Sequence, residues 1–80
     1  MITREDIAQY NPDAIMWDDL DEAMIGMTTN GQVAYDISKI HEILMAKSDM
    51  TLDDAIDYAE YNILCAYVGE FTPIHITTLK

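Results

Sequence analysis

A β-hairpin signal lies near the middle of the sequence. Asn30-Gly31 separates two short apolar runs, 23–27 and 32–35, and an Asn-Gly pair in that setting is typical of a hairpin turn. Gly26, inside the first run, indicates a β-bulge or the close approach of another backbone segment. We therefore predict a hairpin here, which requires any fold of this chain to contain some sheet.

Two segments after the hairpin have the periodicity of helices. In 37–47, isoleucine and leucine recur at spacings of three and four residues behind Asp36, which can cap the helix. The segment 52–67 follows Thr51, which together with Asp54 resembles a capping box. We predict that these two segments are the main helices.

Shorter elements are predicted towards the two ends of the chain. Thr3 can cap a short helix that ends before the first proline, because the residue before a proline avoids the α conformation. Pro73 can begin a strand over 74–76, since proline is tolerated at the first position of a strand. The sequence does not predict the path of residues 12–22, but Trp17 is expected to anchor this segment on the core.

Together these elements predict one small acidic α+β domain spanning residues 1–80. Its sheet is expected to be antiparallel with about three strands, formed by the hairpin 23–35 and the strand 74–76. The helices 37–47 and 52–67 should cover one face of that sheet, with the short N-terminal helix beside them.

The charge balance restricts the class of partner. The chain has 15 Asp and Glu against 4 Lys and Arg, for a net charge of -11. Direct binding to nucleic acid or to an anionic membrane needs a surplus of Lys and Arg, so both are disfavoured. We expect protein partners instead.

The single cysteine and the lengths of the apolar runs restrict the compartment. Cys65 has no second cysteine to pair with, which excludes an internal disulfide and a cysteine-built zinc site, and its apolar neighbours predict a buried thiol. Arg4 is followed by acids rather than by the apolar region of a secretory signal. The longest apolar run, 63–68, is far shorter than the roughly 20 residues of a membrane span. We expect a soluble, cytoplasmic protein.

Several segments of the chain form a recognisable pattern. They are Asp21-Glu22-Ala23-Met24-Ile25-Gly26, Ala34-Tyr35-Asp36, Glu42-Ile43-Leu44, Ala59-Glu60-Tyr61-Asn62-Ile63, Ala66-Tyr67-Val68-Gly69-Glu70 and Thr72-Pro73. This pattern resembles that of a functionally uncharacterised family of small bacteriophage and prophage proteins, and the resemblance covers roughly residues 20–76. It implies a viral or prophage origin, the cytoplasm of a bacterial host and a compact domain, and it implies no particular reaction.

Carboxylates are the main candidate site residues. Asp53, Asp57 and Glu60, here called the acidic stripe, are spaced four and three residues apart and therefore share one helix face, with Asp54 beside them. Such a stripe could imitate a line of phosphates and occupy the nucleic-acid groove of another protein. A second group, here called the acidic loop, could extend it and consists of Asp18, Asp19, Asp21 and Glu22. The alternative is a solvated acidic face that keeps a small domain soluble.

Two aromatic residues adjoin the acidic stripe in the sequence. Tyr58 and Tyr61 lie on the same predicted helix, and tyrosine is favoured at interfaces because its ring is apolar and its hydroxyl is polar. They indicate an amphipathic contact patch beside the carboxylates. The alternative is that they complete the core.

No arrangement of residues indicates catalysis or a bound cofactor. The acidic loop lacks the glycine and the alternating spacing of a calcium loop, and His41 and His75 lie on different elements with no cysteine nearby. Ser38 and Ser48 lack a glycine-rich elbow, and the chain has only 3 glycines, too few for a phosphate-binding loop beside the turns. We expect no enzymatic activity, no cofactor and no metal site.

Two hypotheses from different classes follow. The first is a phage-type protein that binds and inhibits a host protein, itself a nucleic-acid-binding one, as an anti-CRISPR or anti-restriction inhibitor acting as a DNA mimic. The alternative is a non-enzymatic, self-associating structural or accessory phage protein that is acidic only for solubility. Its dimer contact would use the Tyr and Met surface, since oligomerisation is a common route to stability in small chains.

Overall fold

The computed structural model describes residues 2–79, and its fold is α+β, as the sequence predicts. Three helices and a three-stranded open sheet make up the fold, and the longest connections are residues 11–20 and 65–73. In chain order the elements are α1 (Arg4–Tyr10), a 3₁₀ turn (Asp21–Ala23), β1 (Met24–Met27), β2 (Val33–Asp36), α2 (Ile37–Ser48), α3 (Leu52–Ala59), a π-helical segment (Glu60–Leu64) and β3 (Ile74–Ile76).

The hairpin is confirmed. Strands β1 and β2 are antiparallel, with Met24 opposite Tyr35, and the register shifts between Met24 and Gly26, where the sequence indicates a bulge. The five-residue loop between the strands is closed by the Thr28 backbone N–H, which donates to the Gln32 carbonyl oxygen at 2.8 Å. Gly31 has a φ of 86°, in the left-handed region that glycine tolerates best.

The prediction of an all-antiparallel sheet is wrong, because β3 pairs with β2 in parallel. The strand order is β1-β2-β3, so β2 is central. Two packed helices joined by a short loop would deliver the chain to a strand antiparallel to β2. The irregular segment 65–73 follows the helices instead. It contains a turn in which the Thr72 backbone N–H donates to the Gly69 carbonyl oxygen at 3.2 Å, and this turn redirects the chain before β3 begins.

The second main helix is shorter than predicted, because α3 ends at Ala59 and the chain continues as a π-helical turn to Leu64 rather than as an α-helix to residue 67. In an α-helix the Tyr58 carbonyl would accept the backbone N–H of Asn62. Here the Asn62 side-chain Nδ2 donates to that carbonyl at 3.0 Å and competes with the backbone bond. Cys65 lies beyond the turn and is exposed, so the predicted buried thiol is also wrong.

The predicted residues cap all three helices, although one capping box is incomplete. Thr3 and Asp6 form a reciprocal capping box at the start of α1. Asp36 accepts the Ser38 N–H at 3.0 Å at the start of α2. At α3 only half of the expected box is present: the Thr51 hydroxyl accepts the Asp54 N–H at 3.2 Å.

The core connects every helix to the sheet. Val33, Tyr35 and Ile40 are completely buried at the junction of β2 and α2. The other buried apolar side chains of the core cluster are Ile7, Leu20, Ala23, Met24, Ile43, Leu44, Ala55, Ala59 and Ile63. Within residues 2–79, no helix has the length and apolar character needed to span a lipid bilayer.

Candidate partner-binding surface

The acidic stripe lies on the solvent face of α3 and the π-helical turn. Ala55 and Ala59 are completely buried, which fixes the orientation of the helix. Asp57 is two residues from each alanine. At about 100° per residue, this places it about 160° from both alanines around the helix axis. Asp53, Asp57 and Glu60 are all exposed, as is Asp54 at the capped end of the helix.

Like charges in the stripe are not neutralised by nearby cations. Among residues 2–79, every ion pair involves Arg4, which lies 2.9 Å from an Asp21 oxygen and 3.9 Å from an Asp18 oxygen. Asp53 and Asp57 are four residues apart on one helix face, a spacing at which like charges destabilise a helix. This surface is therefore maintained at a cost in stability.

We expect Asp57→Lys to raise the free energy of unfolding by about 0.5–1 kcal/mol, because it replaces two repulsive neighbours with two attractive pairs, to Asp53 and to Glu60. Urea denaturation at low salt measures this change, and high salt should reduce it. Asp13→Lys makes the same change in net charge at an exposed site outside the helices and should have less effect. Equal stabilisation by both variants would show that only the net charge matters.

The acidic loop is attached to α1 through Arg4. The Arg4 Nε donates to both carboxylate oxygens of Asp21, at 3.0 and 2.9 Å, and Nη2 donates to the Trp17 carbonyl at 3.0 Å. The hydrogen bond to Asp21 raises the pKa of Arg4. Asp21 is thus engaged in an intramolecular pair with Arg4, whereas the Asp18 side chain is 98% exposed and can face a partner.

Trp17 anchors the 12–22 segment, as the sequence predicts, through a cluster that the sequence does not reveal. Its backbone N–H donates to the buried Tyr35 hydroxyl at 2.8 Å, and its indole Nε1 donates to His75 Nε2 at 2.9 Å. The Trp17 and His75 ring planes differ by 7°. Because Nε2 accepts, His75 is neutral with its proton on Nδ1. Burial lowers the pKa of His75 and raises the pKa of Tyr35.

The free energy of unfolding should fall as the pH drops below about 6.5 and should level off below the lowered pKa of His75. In that window the unfolded chain binds a proton that the folded chain excludes, so lower pH favours unfolding. His75→Gln keeps an acceptor for the indole and should flatten this dependence. His41→Gln is the control and should preserve it. Urea titrations between pH 5 and 7.5 would measure the effect, and parallel curves for wild type and His75→Gln would contradict it.

The structure divides the candidate residues into two surfaces. Asp18, Asp19 and Tyr58 line an open groove of about 310 Å³ between the acidic loop, the end of α2 and the π-helical turn. The acidic stripe does not line this groove and faces solvent on the outer side of α3. Asp21 and Glu22 line an adjoining open hollow of about 520 Å³ together with Asp18, Asp19, Arg4 and Lys47, and Tyr61 is exposed outside both.

The groove and its supporting cluster were missed at the sequence level. Asp18 and Tyr58 are brought together only by the tertiary fold, and the Trp17–His75 hydrogen bond joins residues 58 positions apart. The one available signal was a tryptophan among acids. Within residues 2–79, no three His, Cys, Asp or Glu side chains are arranged to hold a metal ion.

Fold and surface define this chain as a small acidic α+β domain with an exposed carboxylate stripe and a separate groove. Comparisons with protein-family models, with curated proteins and with solved structures gave no match. The resemblance to small phage proteins stays a prediction.

Proposed function

We propose that this protein is a non-enzymatic inhibitor that binds a nucleic-acid-binding protein in the cytoplasm of a bacterial host. Its origin would be a bacteriophage or prophage, and its role an anti-CRISPR or anti-restriction one. The observation that carries this proposal is the acidic stripe, whose three carboxylates are exposed on one helix face and have no cation partner within residues 2–79.

The dimensions of the stripe support competition with nucleic acid. From Asp53 to Glu60 the chain rises about 10 Å along the helix axis. One strand of B-DNA carries about three phosphates over that length. A net charge of -11 would also accelerate encounter with a basic groove on the partner.

A tagged pull-down from bacterial host lysate tests this function. The stripe variant Asp53→Lys/Asp57→Lys/Glu60→Lys is compared with a control that reverses three exposed acids elsewhere, Asp13→Lys/Glu42→Lys/Glu70→Lys. Both variants have the same net charge, so a difference between them reports on the location of the charge. Circular dichroism establishes that each remains folded.

Wild type and control should retain a nucleic-acid-binding protein at low salt, release it at high salt, and release it when duplex nucleic acid is added. The stripe variant should retain none. Retention by a folded stripe variant, or a partner that nucleic acid does not displace, would contradict the proposal.

The alternative, a self-associating phage accessory protein, is favoured by the exposed apolar side chains. Tyr61 and Tyr67 are each 80% exposed and Val68 is 51% exposed, all on or after the π-helical turn. A homodimer would bury such residues. Sedimentation equilibrium at micromolar concentration distinguishes the two proposals, since a monomer contradicts self-association and a stable dimer favours it.

A further inference from the structure

We propose that the groove between the acidic loop, the end of α2 and the π-helical turn binds an arginine side chain. This inference deepens the proposed function and rests on it for the source of the arginine, which would be the basic partner protein. The groove is separate from the acidic stripe, so each surface can be tested alone.

The floor of the groove is apolar. It is formed by the buried side chains of Leu20, Ile43, Leu44 and Ile63, which belong to the core cluster. Its volume of about 310 Å³ lies at the lower limit for ligand pockets, which suits one long side chain. The aliphatic stem of arginine could cover this apolar floor while its charged end stays in water.

Aromatic rings line the groove from two different parts of the chain. Trp17, directly before the acidic loop, is half-buried and is held by its hydrogen bonds to Tyr35 and His75. Tyr58, on α3, is 43% exposed. A guanidinium group stacks on aromatic faces and is more weakly hydrated than an ammonium, so these rings favour arginine over lysine.

The charges at the rim complement a cation. Asp18 and Asp19 line the groove with Lys47, and the adjoining hollow adds Asp21 and Glu22 against Arg4. Four acids therefore face two cations, which leaves a surplus of negative charge. The Asp18 carboxylate is 98% exposed, and its nearest Arg4 nitrogen is 3.9 Å away, too far for a hydrogen bond. It can therefore accept hydrogen bonds from a second guanidinium. Carboxylates bind the guanidinium fork through paired hydrogen bonds, an option that lysine lacks.

The test is an NMR titration of the ¹⁵N-labelled protein at low salt with Nα-acetyl-arginine N-methylamide, which needs no host partner. The matched probes are the corresponding lysine and norleucine amides. We expect saturable shifts for the arginine probe at the Trp17 indole N–H, the 18–20 amides and the Asn62 side chain. The lysine probe should bind several-fold more weakly, and norleucine should give no saturable shifts.

Variants locate the binding. Asp18→Asn/Asp19→Asn should weaken arginine binding about tenfold, and Lys47→Gln should strengthen it. Asp53→Asn/Asp57→Asn removes the same charge from the stripe and should leave it nearly unchanged. Equal binding of lysine, shifts spread over the acidic surface, or unaltered binding by the folded Asp18→Asn/Asp19→Asn variant would overturn the proposal. Probe binding with no partner in the pull-down would instead contradict only the proposed function.

Discussion

Replacing Gly31 with alanine should lower the free energy of unfolding by about 2–3 kcal/mol. Gly31 has a φ of 86°, where a side chain costs about 1–2 kcal/mol. A Cβ there would also lie 2.7 Å from Asn11 Nδ2 and 3.2 Å from Phe71 Cε1. Asn11 Nδ2 donates to the Gly31 carbonyl at 2.9 Å, so the clash would disturb a hydrogen bond worth about 1 kcal/mol.

The matched control is Gly26→Ala in the same hairpin. A Cβ at Gly26 would have no heavy atom within 4 Å, and its φ lies outside the left-handed region. We expect the free energy of unfolding to change by less than about 1 kcal/mol. Urea denaturation of both variants measures the difference. If Gly31→Ala were no more destabilised than Gly26→Ala, the role given to this turn would be wrong.

Tyr35→Phe should lower the free energy of unfolding by about 1–3 kcal/mol, because it leaves the Trp17 backbone N–H without its acceptor in a half-buried site. Tyr35→Ala should cost about 3–5 kcal/mol, since Tyr35 is completely buried in the core. A domain of this length has a total stability of only about 4–12 kcal/mol, so the alanine variant should lose a large share of it.

Tyr58→Phe removes the same hydroxyl from a tyrosine that is 43% exposed and should change the free energy of unfolding by less than about 0.5 kcal/mol. Urea denaturation monitored by Trp17 fluorescence compares the three variants. Equal stability of Tyr35→Phe and Tyr58→Phe would contradict a structural role for the Tyr35 hydroxyl. It would also mean that the Tyr35 hydroxyl is not needed to hold Trp17 at the side of the groove.

Elements encoded within a few residues were predictable. The turn at Asn30-Gly31 and the caps at Thr3 and Asp36 depend on backbone conformation and hydrogen bonds between near neighbours, and all are present. The common face of Asp53 and Asp57 depends only on helical spacing. Such features need no information about the rest of the chain.

Two predictions about the fold were wrong. One depends on competition between two hydrogen-bond donors for one carbonyl, and the other depends on the path of a segment far along the chain from its partner strand. The helix after Thr51 changes to a π-helical turn at Glu60, where the Asn62 side chain competes with the backbone for one carbonyl. The direction of β3 depends on the turn within residues 65–73, and the Gln32 side chain holds that segment by donating to the Thr72 carbonyl at 2.9 Å. The spacing of apolar residues in the sequence indicates neither the π-helical turn nor the direction of β3.

The α+β class, the hairpin, the helix starts and the acidic stripe could be predicted from the residues alone, because each follows from local geometry and charge. The direction of β3, the pairing of Asp21 with Arg4 and the groove between Asp18 and Tyr58 emerge from the folded structure. These depend on contacts between segments far apart in the chain, whose geometry is set by packing around Tyr35 and Trp17 rather than by any one segment.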